Sequence, residues 1–189
     1  MKRIAVFLAE GFEEIEAVIP IDVLRRGGIE VTVAGVNGDS VTGAHGLTIH
    51  ADIAADKVSP SDFDGVVLPG GIPGANNLAD SQVVGDILDA MQAESKLTAA
   101  ICASPALVLS PRGLLNHKKV TGYPGTEFQF TDTLTFTEDN VVTDGNFITS
   151  RGPGTAFHFA FAILKYLRGR EIADEIASSV LFSADGDAQ

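Results

Sequence analysis

The chain has one cysteine, Cys102, placed where a run of strand character over residues 96–101 gives way to a helical pattern from Ala103 onward, with Pro105 in its first turn. A side chain at such a strand-to-helix elbow is lifted out of the C-terminal edge of a sheet. The free N–H groups and the positive end of the following helix are then aimed at it. For a thiol, that arrangement predicts a pKa well below the reference value of about 8.5 and a nucleophilic thiolate. A lone cysteine in an apolar stretch is otherwise inert packing, so its company decides.

Three acids follow the first apolar run, residues 3–8. Glu13 and Glu14 read as solvated first-turn carboxylates that complement the dipole of a helix over residues 13–26. Glu16, one residue after Ile15 and four before Pro20, can project toward the sheet edge. A carboxyl placed there beside a thiolate would have a raised pKa and could donate a hydrogen bond to it. Residues 69–74, Pro-Gly-Gly-Ile-Pro-Gly, end another apolar run. Gly70 and Gly71 read either as a tight turn or as a backbone anion site with outward-pointing N–H groups. Tyr123 ends a strand-like run over residues 118–121, and Arg151 opens the turn Arg-Gly-Pro-Gly. His45, His50, His117 and His158 lie in edge-strand, loop or apolar-helix contexts, and none has ligand spacing, so no metal site is expected.

Positioning these residues requires a particular scaffold. Short, nearly continuous apolar runs at residues 3–8, 30–36, 64–68, 96–101, 118–121 and 147–150 alternate with helical patterns at residues 13–26, 81–93, 103 onward, 155–167 and 170–181. The alternation predicts an open, mostly parallel sheet covered on both faces, with ligands at the carboxyl ends of its strands. Residues 41–50 and 133–143 read as edge excursions. A chain of 189 residues, 45% hydrophobic, fills one core, so one domain is expected over residues 1–183, with a disordered acidic tail at 184–189.

A net charge of −12 argues against a nucleic-acid backbone or an anionic membrane as partner. No run reaches the roughly 20 apolar residues of a membrane span. The N-terminal apolar run is interrupted too soon, by Glu10, for a secretory signal, and one cysteine allows no internal disulfide, which together predict a cytoplasmic setting. Neither Gly-Lys-Ser/Thr nor G-x-G-x-x-G stands where a nucleotide would need it, and no cofactor is expected.

Four separated motifs, AEGFEEIEAVIPIDVLRRGGIEVTVAG, VVLPGGIPGANNL, AAICASPALVL and TSRGPGTAF, resemble the fingerprints of the ThiJ/PfpI superfamily, in the branch of the parkinsonism-associated deglycase. The resemblance runs from Arg3 to Phe182. It implies a three-layer, flavodoxin-like α/β sandwich with the reactive cysteine on the elbow, and commonly a homodimer. It places the nucleophile on Cys102, the protonated glutamate on Glu16, and the oxyanion donors on the N–H groups of Gly71 and Ala103, with Gly70, Tyr123 and Arg151 at the site. Protease-like members put a histidine directly after the cysteine, where this chain has Ala103; the histidine some members carry after the following strand is here Tyr123. A Cys-His peptidase pair is therefore absent. His45 stands where relatives carry an arginine.

The expected activity is that of a cofactor-independent glyoxalase or deglycase. The resemblance supplies the substrates, small α-oxoaldehydes or their glycated adducts. The residues supply a hemithioacetal on Cys102 with proton transfer by Glu16. The rival expectation is a redox sensor or holdase chaperone in which Cys102 is oxidised to a sulfinate. A thiamine-linked or hydrolase role finds no thiazole-phosphate site or triad.

Overall fold

The computed structural model describes residues 1–131 and 133–183; the tail expected at 184–189 lies outside them. The strands are β1 (Arg3–Leu8), β2 (Glu30–Gly35), β3 (Ser40–Thr42), β4 (Thr48–His50), β5 (Ile53–Ala54), β6 (Gly65–Leu68), β7 (Leu97–Ile101), β8 (Lys119–Val120), β9 (Thr135–Phe136), β10 (Val141–Asp144) and β11 (Phe147–Ser150). The helices are α1 (Glu14–Arg26), α2 (Gly74–Ala79), α3 (Gln82–Ala93), α4 (Ala156–Arg168) and α5 (Arg170–Ser179). Seven strands form one sheet in the order β10-β11-β7-β6-β1-β2-β5, parallel except for β10 against β11. This is the flavodoxin-like layering anticipated above.

The strands are apolar throughout because both faces of the sheet are covered. Along β1, Ile4, Val6 and Leu8 point into a core shared with Ala17, Val23 and Leu24 of α1 and Phe159, Ile163 and Leu164 of α4. Ala5 and Phe7 enter the opposite core, with Leu78 of α2 and Val84, Leu88 and Met91 of α3. The alternation is the two-residue period of a pleated strand. Gly27, just past α1, is held to hydrogen by a neighbour: a Cβ there would lie 2.2 Å from Leu164 Cδ1. Among the described residues no helix is long and apolar enough to cross a membrane.

Two expectations change and one holds. The run at residues 118–121 does not join the main sheet; Lys119 and Val120 pair with Thr135 and Phe136 in a separate two-stranded sheet, and β11 takes the place beside β7. The segment after the elbow is a five-residue π-helical stretch, Pro105–Leu109, closed by Ser110 N–H donating to the Pro105 carbonyl, rather than an extended α-helix. Residues 41–50 do form an edge hairpin, β3 against β4, and its turn carries His45 down onto the start of α1.

Candidate active site

The strands β1, β6 and β7 are neighbours in the sheet, and the candidate residues Glu16, Gly70, Gly71 and Cys102 gather at their carboxyl ends. Cys102 follows β7 directly. Its φ of +65° lies in the left-handed region that non-glycine residues seldom occupy. The conformation is held from both sides: Cys102 N–H donates to the Ser150 carbonyl at 2.9 Å, and its carbonyl accepts from Tyr123 N–H at 2.8 Å. Ser104, buried in the next turn, donates its hydroxyl to the Pro69 carbonyl and ties the elbow to the glycine loop. Sequence reasoning passed over Ser104, although a hydroxyl two residues past the elbow was visible there.

Glu16 comes from α1 and is fully buried. One carboxyl oxygen, Oε2, accepts from Gly70 N–H at 2.8 Å, while Oε1 is buried without a hydrogen-bond partner among the described residues; the Cys102 thiol stands beside the carboxyl and pulls its pKa down. Space there is tight, since a Cβ on Gly70 would meet Cys102 Cβ at 2.6 Å and Glu16 Oε2 at 2.8 Å. Burial, with help from the negative charge of Glu13, pushes the Glu16 pKa up to about 7, against the pull of Gly70 N–H and the Cys102 thiol.

The N–H groups of Gly71 and Ala103 hydrogen-bond to the Cys102 sulfur and lower its pKa. Gly71 needs its missing side chain, because its φ is +88° and a Cβ would strike the backbone of Gly11 and Glu13. The net direction for the thiol is nevertheless upward, from burial first and then from the charge and hydrogen bond of Glu16, which corrects the expectation of a depressed value. The repulsion requires an ionised Glu16. When Glu16 is protonated the repulsion disappears and the carboxyl can donate to the sulfur, so the two groups share one proton between them.

The other expected residues stand further out. Tyr123 is half-exposed with its ring against Gly152, which itself faces Glu16. Arg151 lines a shallow hollow of about 300 Å³ with Tyr123, Pro124 and Asn140. Its guanidinium donates to the Glu138 carbonyl at 3.4 Å.

The expectation of solvated acids at the start of α1 fails for Glu14, which is buried. Its Oε1 accepts the N–H groups of His45 and Leu47 at 2.7 and 3.3 Å, and its Oε2 pairs with His45 Nδ1 at 2.9 Å. Burial raises the Glu14 pKa, but His45 and these N–H groups outweigh it and hold the carboxyl below its ordinary range. In return the Glu14 hydrogen bond, then the charges of Glu13 and Glu14, raise the pKa of His45. The two residues are 31 positions apart, and no local pattern relates them.

The sequence profile of the DJ-1/PfpI family matches residues 2–166. Protein dj-1beta of Drosophila melanogaster is 44% identical over 182 residues, covering 95% of this chain and 97% of that protein. The glutathione-independent glyoxalase DJR-1.2 of Caenorhabditis elegans is 38% identical over 162 residues, covering 86% of each chain. The structure of Toxoplasma gondii DJ-1 in its oxidized form superposes with a TM-score of 0.93 at 38% identity, covering 97% of this chain and 100% of that one. With a match across most of its length and relatives at this identity over almost the whole fold, the chain belongs to the DJ-1/PfpI family.

Proposed function

We propose that the protein is a glutathione-independent glyoxalase or deglycase acting on α-oxoaldehydes such as methylglyoxal, or on their adducts. One observation carries the reading: a cysteine held at φ +65° with two backbone N–H groups on its sulfur and a carboxyl, raised to about 7, against it. The name of the Caenorhabditis elegans relative supports the substrate class.

The reactive form is the Cys102 thiolate beside protonated Glu16. The sulfur adds to the aldehyde carbon, and the resulting oxyanion, held by the Gly71 and Ala103 N–H groups, takes the Glu16 proton to give a neutral hemithioacetal. Glu16, now a carboxylate, removes the hydrogen from that carbon to form an enediolate and returns it to the neighbouring carbon, while the hydroxyl proton passes from the first oxygen to the second, leaving a 2-hydroxyacyl thioester. Water hydrolyses the thioester, releasing the 2-hydroxy acid and restoring the thiol. A pKa near 7 suits a group that must serve as acid and then as base in one cycle. Lactate production from methylglyoxal without glutathione tests this: wild type is active and Cys102→Ser is inactive. Equal activity in the two overturns it.

A second reading, oxidation sensing, is favoured by the absence of any other cysteine to resolve an oxidised Cys102 and by the N–H groups that would hold an oxidised sulfur. Peroxide then adds two oxygens to the intact mass, whereas a disulfide-linked dimer as the main product counts against it. A cytoplasmic setting suits a sole, unpaired thiol. We take the working form to be a homodimer, since Ile15 and Val18 of α1 are exposed apolar residues. Light scattering that returned a monomer would remove this part.

A further inference from the structure

We propose that Glu13, Glu14 and His45 form a binding site for a first-row divalent cation such as zinc, distinct from the Cys102 thiol. The first ground is charge. The side chains of Glu13 and Glu14 are only 13% and 10% exposed, yet among the described residues the partner within ion-pair distance of both is the single imidazole of His45, itself 71% exposed. Two largely buried carboxylates against one imidazole leave the spot short of positive charge. Glu13 has no hydrogen bond to its carboxylate among the described residues; its backbone N–H, by contrast, is tied to the Gly70 carbonyl at 3.0 Å.

The second ground is geometry. His45 Nδ1 lies 2.9 Å from Glu14 Oε2 and 3.6 Å from Glu13 Oε2, and one donor atom from each of the three falls within 4.8 Å of the others. Zinc bonds nitrogen and carboxylate oxygen at about 2.0–2.2 Å, which spaces neighbouring donors by about 3–3.5 Å, so small side-chain shifts place all three on one ion.

The third ground is preparation of the ligands. Glu14 Oε1 is fixed by two backbone N–H groups, leaving Oε2 to face His45, as in the outer hydrogen bonds that orient metal ligands. The carboxylate fills the space a side chain at position 43 would take, since a Cβ on Gly43 would lie 2.4 Å from Glu14 Cδ. The same three residues, with Ile15, Leu47 and Pro153, line a cavity of about 520 Å³. Binding exchanges the Nδ1–Glu14 hydrogen bond for nitrogen–metal and oxygen–metal bonds, and any Nδ1 proton passes to solvent.

Zinc titration of the Cys102→Ser protein, followed by calorimetry, tests the site with the thiol out of play. We expect one zinc per chain, weakened at least about tenfold by His45→Gln and by Glu13→Gln, both of which replace partly or wholly surface-facing groups. Glu14→Gln should do the same; should it fail to fold, the other two substitutions decide. Absence of zinc binding in Cys102→Ser, or binding unchanged by both His45→Gln and Glu13→Gln, overturns the proposal. Because the thiol is absent throughout, either result leaves the glyoxalase reading untouched.

Discussion

Glu14 and Glu16 sit two residues apart in the first turn of one helix, both are buried, and their carboxyl groups move in opposite directions. Glu14 meets the His45 imidazole and two backbone N–H groups and is held ionised. Glu16 meets one N–H and a thiol, with no cation, and is pushed up to about 7. Burial is the largest influence on each and acts in the same sense on both. The partners decide the outcome: an acid with a cation is a structural anchor, and an acid without one holds a proton it can lend.

The widest separation should appear in turnover. Glu16→Gln keeps the shape and a donor toward Cys102 but cannot transfer protons, so methylglyoxal turnover should fall at least about a hundredfold while Cys102 still oxidises with peroxide. Retained turnover would remove Glu16 from proton transfer and collapse the contrast with Glu14.

Stability should move with opposite signs. The folded pKa of Glu16 lies above its ordinary 4.5, so the native state binds the extra proton, and stability declines as pH rises from about 4.5 to about 7, then levels. The interval corresponds to roughly 3 kcal/mol, an upper bound on what Glu16→Gln recovers at pH 8 relative to pH 4. Glu14→Gln removes an ionised acceptor from two N–H groups and an imidazole, and should cost on the order of 1–3 kcal/mol at neutral pH. Denaturant melts of both variants at pH 4 and 8 measure the pair. The same sign for both at pH 8 would break the comparison.

A smaller effect is expected on the thiol itself. Replacing Glu16 by glutamine removes the repelling charge, so the thiolate absorbance midpoint should move down, and Glu14→Gln should leave it nearly in place. An upward move in Glu16→Gln would show that the carboxyl helps the thiolate more than it repels it.

The smallest belongs to His45. Its raised pKa contributes stability fully below about 6.5 that is lost as pH climbs through the folded value; the lowered pKa of Glu14 contributes above about 4.5 and is lost as pH falls through its folded value. With chelator present, His45→Gln should therefore lower the melting temperature more at pH 5.5 than at pH 8.5. An equal loss at both pH values would mean the pair is held by packing instead.

Local pattern was enough for much of this molecule. The apolar runs, the glycine loop at 69–74 and the turn at Cys102 are legible because pleat, helix period and turn composition are set by neighbours in the chain. Glu16 was picked out by its place after Ile15 and before Pro20, and α1 then carries it to the sheet edge, as its spacing predicts. Whether residues 118–121 join the main sheet was not local: β8 finds β9, and β11 claims the place beside β7. The form of the segment after the elbow, a π-helical stretch, was equally out of reach, since an i→i+5 bond leaves no periodic signature over five residues. The direction of the Cys102 pKa and the pairing of Glu14 with His45 depended on long-range folding. Burial is a property of the closed core, and an imidazole 31 residues away becomes a partner only when the β3–β4 hairpin folds its turn over the start of α1.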